Sequence, residues 1–253
     1  MKKYLFVLLL ITILLPSAVI LADEEGSVVS DFDVNMKVSD DMINILMENL
    51  ENLFPITVMR DYFNDPVDPY YTNEGSRSVT EYYNDMGIRN IRMFANADQI
   101  TEHVSREIVN SVYVTDFMLS VDVTVNDTWP QGEGGCFIGF TNYGVSAFSG
   151  DDGAMMISLI SDGKNSEIYA KDHYSSSGSH FPINSRGMEK MRLSILHMAG
   201  HTYVLIENNY AGQLHDGIEG PFRIMFGTAL FKNGDSVSCS FDNLVLRKMG
   251  RKW

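Results

Sequence analysis

Ten residues near the middle of the chain alternate without interruption. Phe117, Leu119, Val121, Val123 and Val125 are apolar, while Met118, Ser120, Asp122, Thr124 and Asn126 lie between them. Successive side chains of a strand point to opposite sides, so a period of two over this length describes a strand with one buried face. Comparable runs recur at 112–126, 136–141, 154–160, 166–172, 190–197, 202–207, 222–228 and 237–247. Asp162-Gly163, Ala199-Gly200 and Asn233-Gly234 fall between runs, where hairpins turn. Repeated at this spacing, the runs predict an all-β fold, an antiparallel sandwich or jelly roll. Two further strands are expected at 56–62 and 88–94; residues 72–86 read as polar and 98–111 as ambiguous.

The ends read differently. Lys2 and Lys3 precede an apolar run from Leu5 to Leu15, Pro16 breaks it, and small residues follow from Ser17 to Ala22. This is the layout of a secretory signal peptide, residues 1–22, cleaved after Ala22. A membrane anchor would need ~20 uninterrupted apolar residues, so no stable insertion is expected after cleavage. Residues 23–38 are an acidic leader. Ser39 can then cap a short amphipathic helix over 40–54, in which Met42, Ile43, Leu46, Leu50, Leu53 and Phe54 share a face and Pro55 ends the run. The plan is therefore a signal peptide at 1–22, leader and helix at 23–55, one β domain at 56–248 and a tail at 249–253. Its expected place is outside the cell or in the envelope space.

The chain carries 19 basic and 33 acidic residues, a net charge of −14. Loss of the two lysines in 1–22 leaves 17 basic against 33 acidic, or −16. A balance this acidic speaks against nucleic acid and anionic membranes, which are bound through basic patches. Two cysteines are present, Cys136 and Cys239. Each shares an inward face with apolar neighbours, Cys136 with Ile138 and Phe140, and Cys239 with Val237 and Phe241. In an exported chain they could meet across the core as a disulfide; the alternative is two buried thiols acting as small hydrophobes.

The closing run, Val237 to Leu246 with Phe241-Asp242-Asn243 inside it, resembles the concanavalin A-like lectin/glucanase superfamily. The likeness is to its laminin-G-like branch, which includes 3-keto-disaccharide hydrolase domains. Arg60 to Asp65 resembles the family's opening, Thr115 to Thr124 its first long core strand, and Gly135 to Phe140 its glycine-aromatic strand. The resemblance spans roughly 56–248 and implies a concanavalin A-like jelly roll with a role in carbohydrate binding or cleavage. It also implies a structural calcium ion near the paired termini, with Asp242 as the matching ligand and Asp61 in the opening segment as a partner; a solvated turn is the alternative. The family 16 glycoside hydrolases carry Glu-x-Asp-x-x-Glu on one strand, which sets carboxylates on one face at the ~5 Å that a retaining mechanism needs. The motif is missing here. Glu133 stands alone, and Glu167 has Tyr169 and Lys171 as same-face neighbours.

Sugar binding calls for aromatic platforms beside polar groups. Trp129, Tyr143, Tyr169, Tyr174 and Tyr203 are the candidates, against the plainer reading that they cover an edge or fill the core. His197 and His201 have a four-residue spacing, but Met-Ala-Gly between them reads as a turn, which removes the helical face a zinc pair would use. The sequence thus points to an exported carbohydrate-binding β-sandwich without catalytic activity. A glycoside-acting hydrolase of the keto-disaccharide type is the alternative, and an extracellular adhesion or structural domain with a protein partner is the second.

Overall fold

In the computed structural model, the described residues are 49–64, 71–75, 80–94, 103–109, 112–129, 134–142, 154–161, 166–171, 179–182, 190–198, 200–214, 220–230 and 236–250. The signal peptide, the leader, most of the expected helix, and the turns at 162–163 and 233–234 lie outside them. The described part of the helix is α1 (Leu50–Leu53). In chain order there follow β1 (Ile56–Asp61), β2 (Tyr71–Gly75), β3 (Thr80–Asp85), β4 (Ile88–Phe94), β5 (His103–Val109), β6 (Phe117–Trp129), β7 (Gly134–Thr141) and β8 (Ala154–Ser161). The remainder are β9 (Ser166–Lys171), β10 (Ser179–Pro182), β11 (Met191–Met198), β12 (His201–Ile206), β13 (Asn209–Leu214), β14 (Arg223–Leu230) and β15 (Ser236–Lys248).

These strands form two antiparallel sheets. Sheet A runs β13-β12-β11-β6-β15-β4-β3, with β1 joined to the far end of β15; sheet B runs β10-β9-β8-β7-β14-β5-β2. The chain crosses repeatedly from one to the other, so neighbours in a sheet are often distant in sequence. That is a jelly-roll arrangement. One continuous core lies between the sheets. The alternating residues Phe117, Leu119, Val121, Val123 and Val125 of β6 face it, opposed by Cys136, Ile138 and Phe140 of β7 and Ile224 and Phe226 of β14. His197 belongs to it as well: its ring sits among Phe117, Phe140 and Phe222, and its Nδ1 is 2.8 Å from Thr202 Oγ1. His201 pairs with Met198 and so faces the other way, which separates it from His197.

The closing strand needs an irregularity to serve this core. Along β15 the residues facing inward are Val237, Cys239 and Phe241, and then Leu244 and Leu246. The switch from odd to even comes from a bulge: Asp242 pairs with Asp122 and Val245 with Ser120, so three steps on β15 match two on β6. One extra residue restores apolar side chains to the core and turns Asp242, Val245 and Arg247 outward. Asn243 takes up the bend with φ 49°, a left-handed conformation that asparagine tolerates better than most residues.

The sheets are also joined covalently. Cys136 of β7 and Cys239 of β15 form a disulfide with their Cα atoms 5.6 Å apart, closer than the ~10 Å usual between packed sheets.

Sheet B has a second apolar face. Every residue of β7 is buried, and Phe137 packs with Ile108, Met225 and Ala229 on the side away from the main core. Gly135 and Gly139 share that side; a Cβ at either would collide with the carbonyl of Leu159 or Met155 on β8, so glycine is required for β7 and β8 to approach.

Five strands were not legible as such in the sequence. β5 falls in the stretch 98–111 that read as ambiguous. β2 and β3 fall in the polar stretch, β10 is short, and β13 is a polar hairpin partner of β12. The β12–β13 turn places Glu207 (φ 52°) and Asn208 (φ 63°) in the left-handed region. This is the two-residue turn that matches strand twist, here without the glycine that usually announces it.

The disulfide closes a loop of 103 residues. On a chain-entropy account a loop of about 100 residues is worth roughly 4.7 kcal/mol, with ~2–5 kcal/mol typical for native bridges. The double variant Cys136→Ala/Cys239→Ala should therefore lose about 2–5 kcal/mol of unfolding free energy in denaturant titration. A loss below 1 kcal/mol would remove the bridge from any important place in the fold.

Candidate functional site

The outward face of sheet A carries a polar cluster where β11, β6 and β15 run side by side. Asp122 is its centre, its side chain only 12% exposed. Its Oδ1 accepts from Arg192 Nη1 at 2.6 Å, and its Oδ2 accepts from Asn243 Nδ2 at 2.8 Å and Lys190 Nζ at 3.1 Å. Lys190 also donates to Asp242 Oδ2 at 2.9 Å, while Asp242 Oδ1 accepts the Asn243 backbone N–H at 2.7 Å. The bulge is what makes this cluster. It brings Asp242 opposite Asp122 and tips Asn243 onto both carboxylates.

The electrostatics follow from these contacts. Burial alone would raise the Asp122 carboxyl, but hydrogen bonds from Asn243, Lys190 and Arg192, with the charge of Arg192, outweigh it and hold the group below its ordinary value. Lys190 is shifted up, chiefly by its bond to Asp242; burial opposes the rise, and the bond to Asp122 and the charges of both carboxylates add to it. Asp122 is thus held as the carboxylate. A glycosidic acid would need the opposite shift, a carboxyl kept protonated near neutral pH.

Beside the cluster opens a cleft of about 350 Å³, lined by Leu50, Met118, Ser120, Arg192, Asn208, Val245 and Arg247. Met118, Ser120 and Val245 are outward residues of the two central strands and form its floor. Leu50 comes from α1, and Asn208 from the β12–β13 turn. That turn is anchored to β11: the Arg192 backbone N–H donates to Glu207 Oε1 at 2.7 Å, and the Glu207 N–H donates to the Arg192 carbonyl at 2.9 Å. Ser120 is held in turn by Ser194, with 2.8 Å between the two hydroxyl oxygens. An apolar floor, a hydroxyl, an amide and two guanidinium groups make a binding site for a small polar molecule with an apolar side.

The two aromatic candidates whose side chains are described, Tyr169 and Tyr203, do not converge. Tyr169 is half-buried on the outward side of sheet B, opposite Ser158 on β8 and His180 on β10. Tyr203 is on the outward side of sheet A, 5% exposed, between Leu196 and Gln213 in register and with its ring 6.5 Å from that of Tyr210. Two sheets and the core separate these tyrosines. Trp129 ends β6 opposite Ser236; its side chain, like all of Tyr143 and Tyr174, lies outside the described residues.

The calcium ligands expected from the resemblance do not fit an ion together. Asp61 Oδ1 accepts the Phe63 N–H at 2.6 Å and Oδ2 the Tyr71 hydroxyl at 2.8 Å, so both oxygens tie down the chain after β1. Asp242 faces the other side of sheet A and already holds Lys190, a cation that a metal would have to displace. Among the described residues no group of three or more His, Cys, Asp or Glu side chains is arranged around a common point.

The cluster residues Lys190 and Arg192 and the cleft residue Arg247 were not singled out in the sequence; Asp122 appeared only as a polar member of the β6 alternation, and Asn243 only within the closing motif Phe241-Asp242-Asn243. A faint signal existed: Asp122 and Arg192 interrupt the outer sides of strands that are otherwise apolar or hydroxylated, and Asp242-Asn243 breaks the alternation of β15.

Comparison with protein-family models and with curated protein sequences gives no match. Solved structures do match. A laminarinase from Flavobacterium aligns with TM-score 0.58 at 11% identity, covering 76% of this chain and 100% of that one. The catalytic domain of an endo-1,3-β-glucanase (laminarinase) from Thermotoga petrophila aligns with TM-score 0.56 at 12% identity, covering 77% and 98%. Lectin II from Ulex europaeus aligns with TM-score 0.54 at 10% identity, covering 78% and 100%. The chain therefore has the concanavalin A-like jelly-roll fold. Identities this low speak to fold and not to activity.

Asp122→Asn should cost about 1.5–3 kcal/mol at neutral pH, the value of hydrogen bonds to a charged group. Because the native carboxyl is held below 3.8, the wild-type advantage is fully present above that pH and is lost as pH falls through the lower native value. Unfolding curves of the two proteins at pH 7 and at about pH 2–3 should accordingly converge at the acid end. A gap that stays constant with pH would show that the charge of Asp122 is not what stabilises the cluster.

Proposed function

We propose that this protein is an exported carbohydrate-binding β-sandwich without catalytic activity, and that it binds saccharide in the cleft on the outer face of sheet A. The observation that carries the reading is the lining of that cleft. Met118 and Val245 offer an apolar floor for the face of a sugar ring, and Ser120, Asn208 and the two arginines surround it with hydrogen-bonding groups. The fold supports it in a general way: a lectin with this architecture has been solved complexed with galactose. The lowered carboxyl of Asp122 favours binding over cleavage, since it is not prepared to donate a proton. The leading 22 residues route the chain to the compartment where such ligands occur.

The test is a glycan-array screen of the exported protein, run with calcium and again with chelator. Binding to a defined saccharide class is expected, and Met118→Glu, which sets a charge on the cleft floor, should abolish it while the protein still melts cooperatively. The same saccharide incubated with the protein should release no reducing ends. A blank array with folded protein would overturn the reading and favour a protein partner; saccharide release would replace it with the hydrolase.

A further inference from the structure

The outer face of sheet A does not end with the cleft. Val245 of its floor pairs with Arg60 of β1, so the Arg60 side chain stands on the same face one strand further out, ~5 Å away at the backbone. Arg60 is exposed, and its Nη1 donates to the Tyr62 hydroxyl at 3.4 Å. Tyr62 is itself 45% exposed. Resting on the carbohydrate reading above, we infer that the ligand is an oligosaccharide. It leaves the cleft across Val245 and Arg60, and a further sugar ring stacks on Tyr62. A cleft of about 350 Å³ is toward the small end for a ligand pocket, so a saccharide chain held there continues over one of its sides. Among the described residues, α1 stands at one side with Leu50 and the β12–β13 turn at another with Asn208. The β1 side offers an aromatic ring.

The chain around Tyr62 holds that ring outward. Asp61 pairs with the inward residue Leu244, and both of its carboxylate oxygens are tied: Oδ1 accepts the Phe63 N–H at 2.6 Å and Oδ2 the Tyr71 hydroxyl at 2.8 Å. Phe63 is buried in the core, with φ 51°. Alternation leaves Arg60 and Tyr62 on the outer face, with a fixed residue on each side of the tyrosine. The β3–β4 turn closes on the same segment, since a Cβ at Gly87 would lie 2.7 Å from Asn64 Oδ1 and 3.2 Å from the Tyr62 carbonyl. Of the large hydrophobic side chains exposed among the described residues, Tyr62, Tyr83 of β3 and Met86 of that turn belong to this corner of sheet A. A tyrosine presents a broad rigid surface with two torsions to order, and here its backbone is already ordered, so stacking on it costs little entropy. The Tyr62 hydroxyl and the Arg60 guanidinium place polar groups beside the ring.

A glycan array of the exported protein tests the inference when it carries length series, from monosaccharide to hexasaccharide, derived from laminarin, cellulose, xylan, mannan and galactan. Calorimetric titration of the binding series then gives the affinities. Affinity should rise with chain length by about three- to tenfold before it levels, the worth of one aromatic contact. Tyr62→Ala should remove that rise and leave the shortest binding member unchanged, whereas Tyr62→Phe, which retains the ring, should retain the rise. Affinity independent of length, a rise that survives in Tyr62→Ala, or an equal loss at every length in that variant would overturn the extension to Tyr62 and leave the carbohydrate reading standing. Failure of every saccharide to bind would overturn both.

Discussion

The pairing of β6 with β15, two strands of 13 residues at the middle of sheet A, is what the rest of the molecule depends on. Their inner sides supply much of one wall of the core. β15 also receives β4 along its first half and β1 along its second, so the beginning and the end of the domain are closed on the same strand. A strand of this length cannot keep strict alternation on both sides of Asp242, since the apolar residues change from odd to even positions there. The bulge resolves the conflict with one residue. As a by-product it produces a polar cluster, because the displaced Asp242 and Asn243 must satisfy each other and Asp122 on the outer face.

Sheet B solves a different problem. β7 is buried on both sides, which a lone sandwich strand with one solvated face would not be. Its inner side carries Cys136, Ile138 and Phe140, and its outer side alternates glycine with Phe137. The small residues let β8 come close, and the large one packs among Ile108, Met225 and Ala229. The disulfide from Cys136 to Cys239 then ties this strand to β15, so the central strands of the two sheets are covalently one unit.

The cluster and the cleft share a physical logic. Asp122 would be costly to leave ionised in its partly buried place; Arg192, Lys190 and Asn243 compensate it and are themselves ordered in the process. Rigidity acquired for stability becomes available for recognition. Arg192 is a clear case, because the contact that neutralises Asp122 also fixes a cation at the edge of the cleft.

How much of this was legible in the chain differs by element. The alternation of β6, the glycine-aromatic pattern of β7 and the apolar register of β15 announced a β-sandwich, because burial of one strand face writes a period of two into the sequence. β2, β3 and β13 left no such mark: they are polar edge or near-edge strands whose place is set by the neighbours they pair with. The aromatic residues read as sugar platforms were chosen by residue type, and the fold sends Tyr169 and Tyr203 to opposite sheets. The site that does form draws on β6, β11, β15, the β12–β13 turn and α1, segments up to about 200 residues apart. Local sequence determines which face of a strand is buried, since that depends on neighbours two residues away. Which polar residues meet on the other face depends on strand order and on a single bulge, and only the tertiary structure decides those.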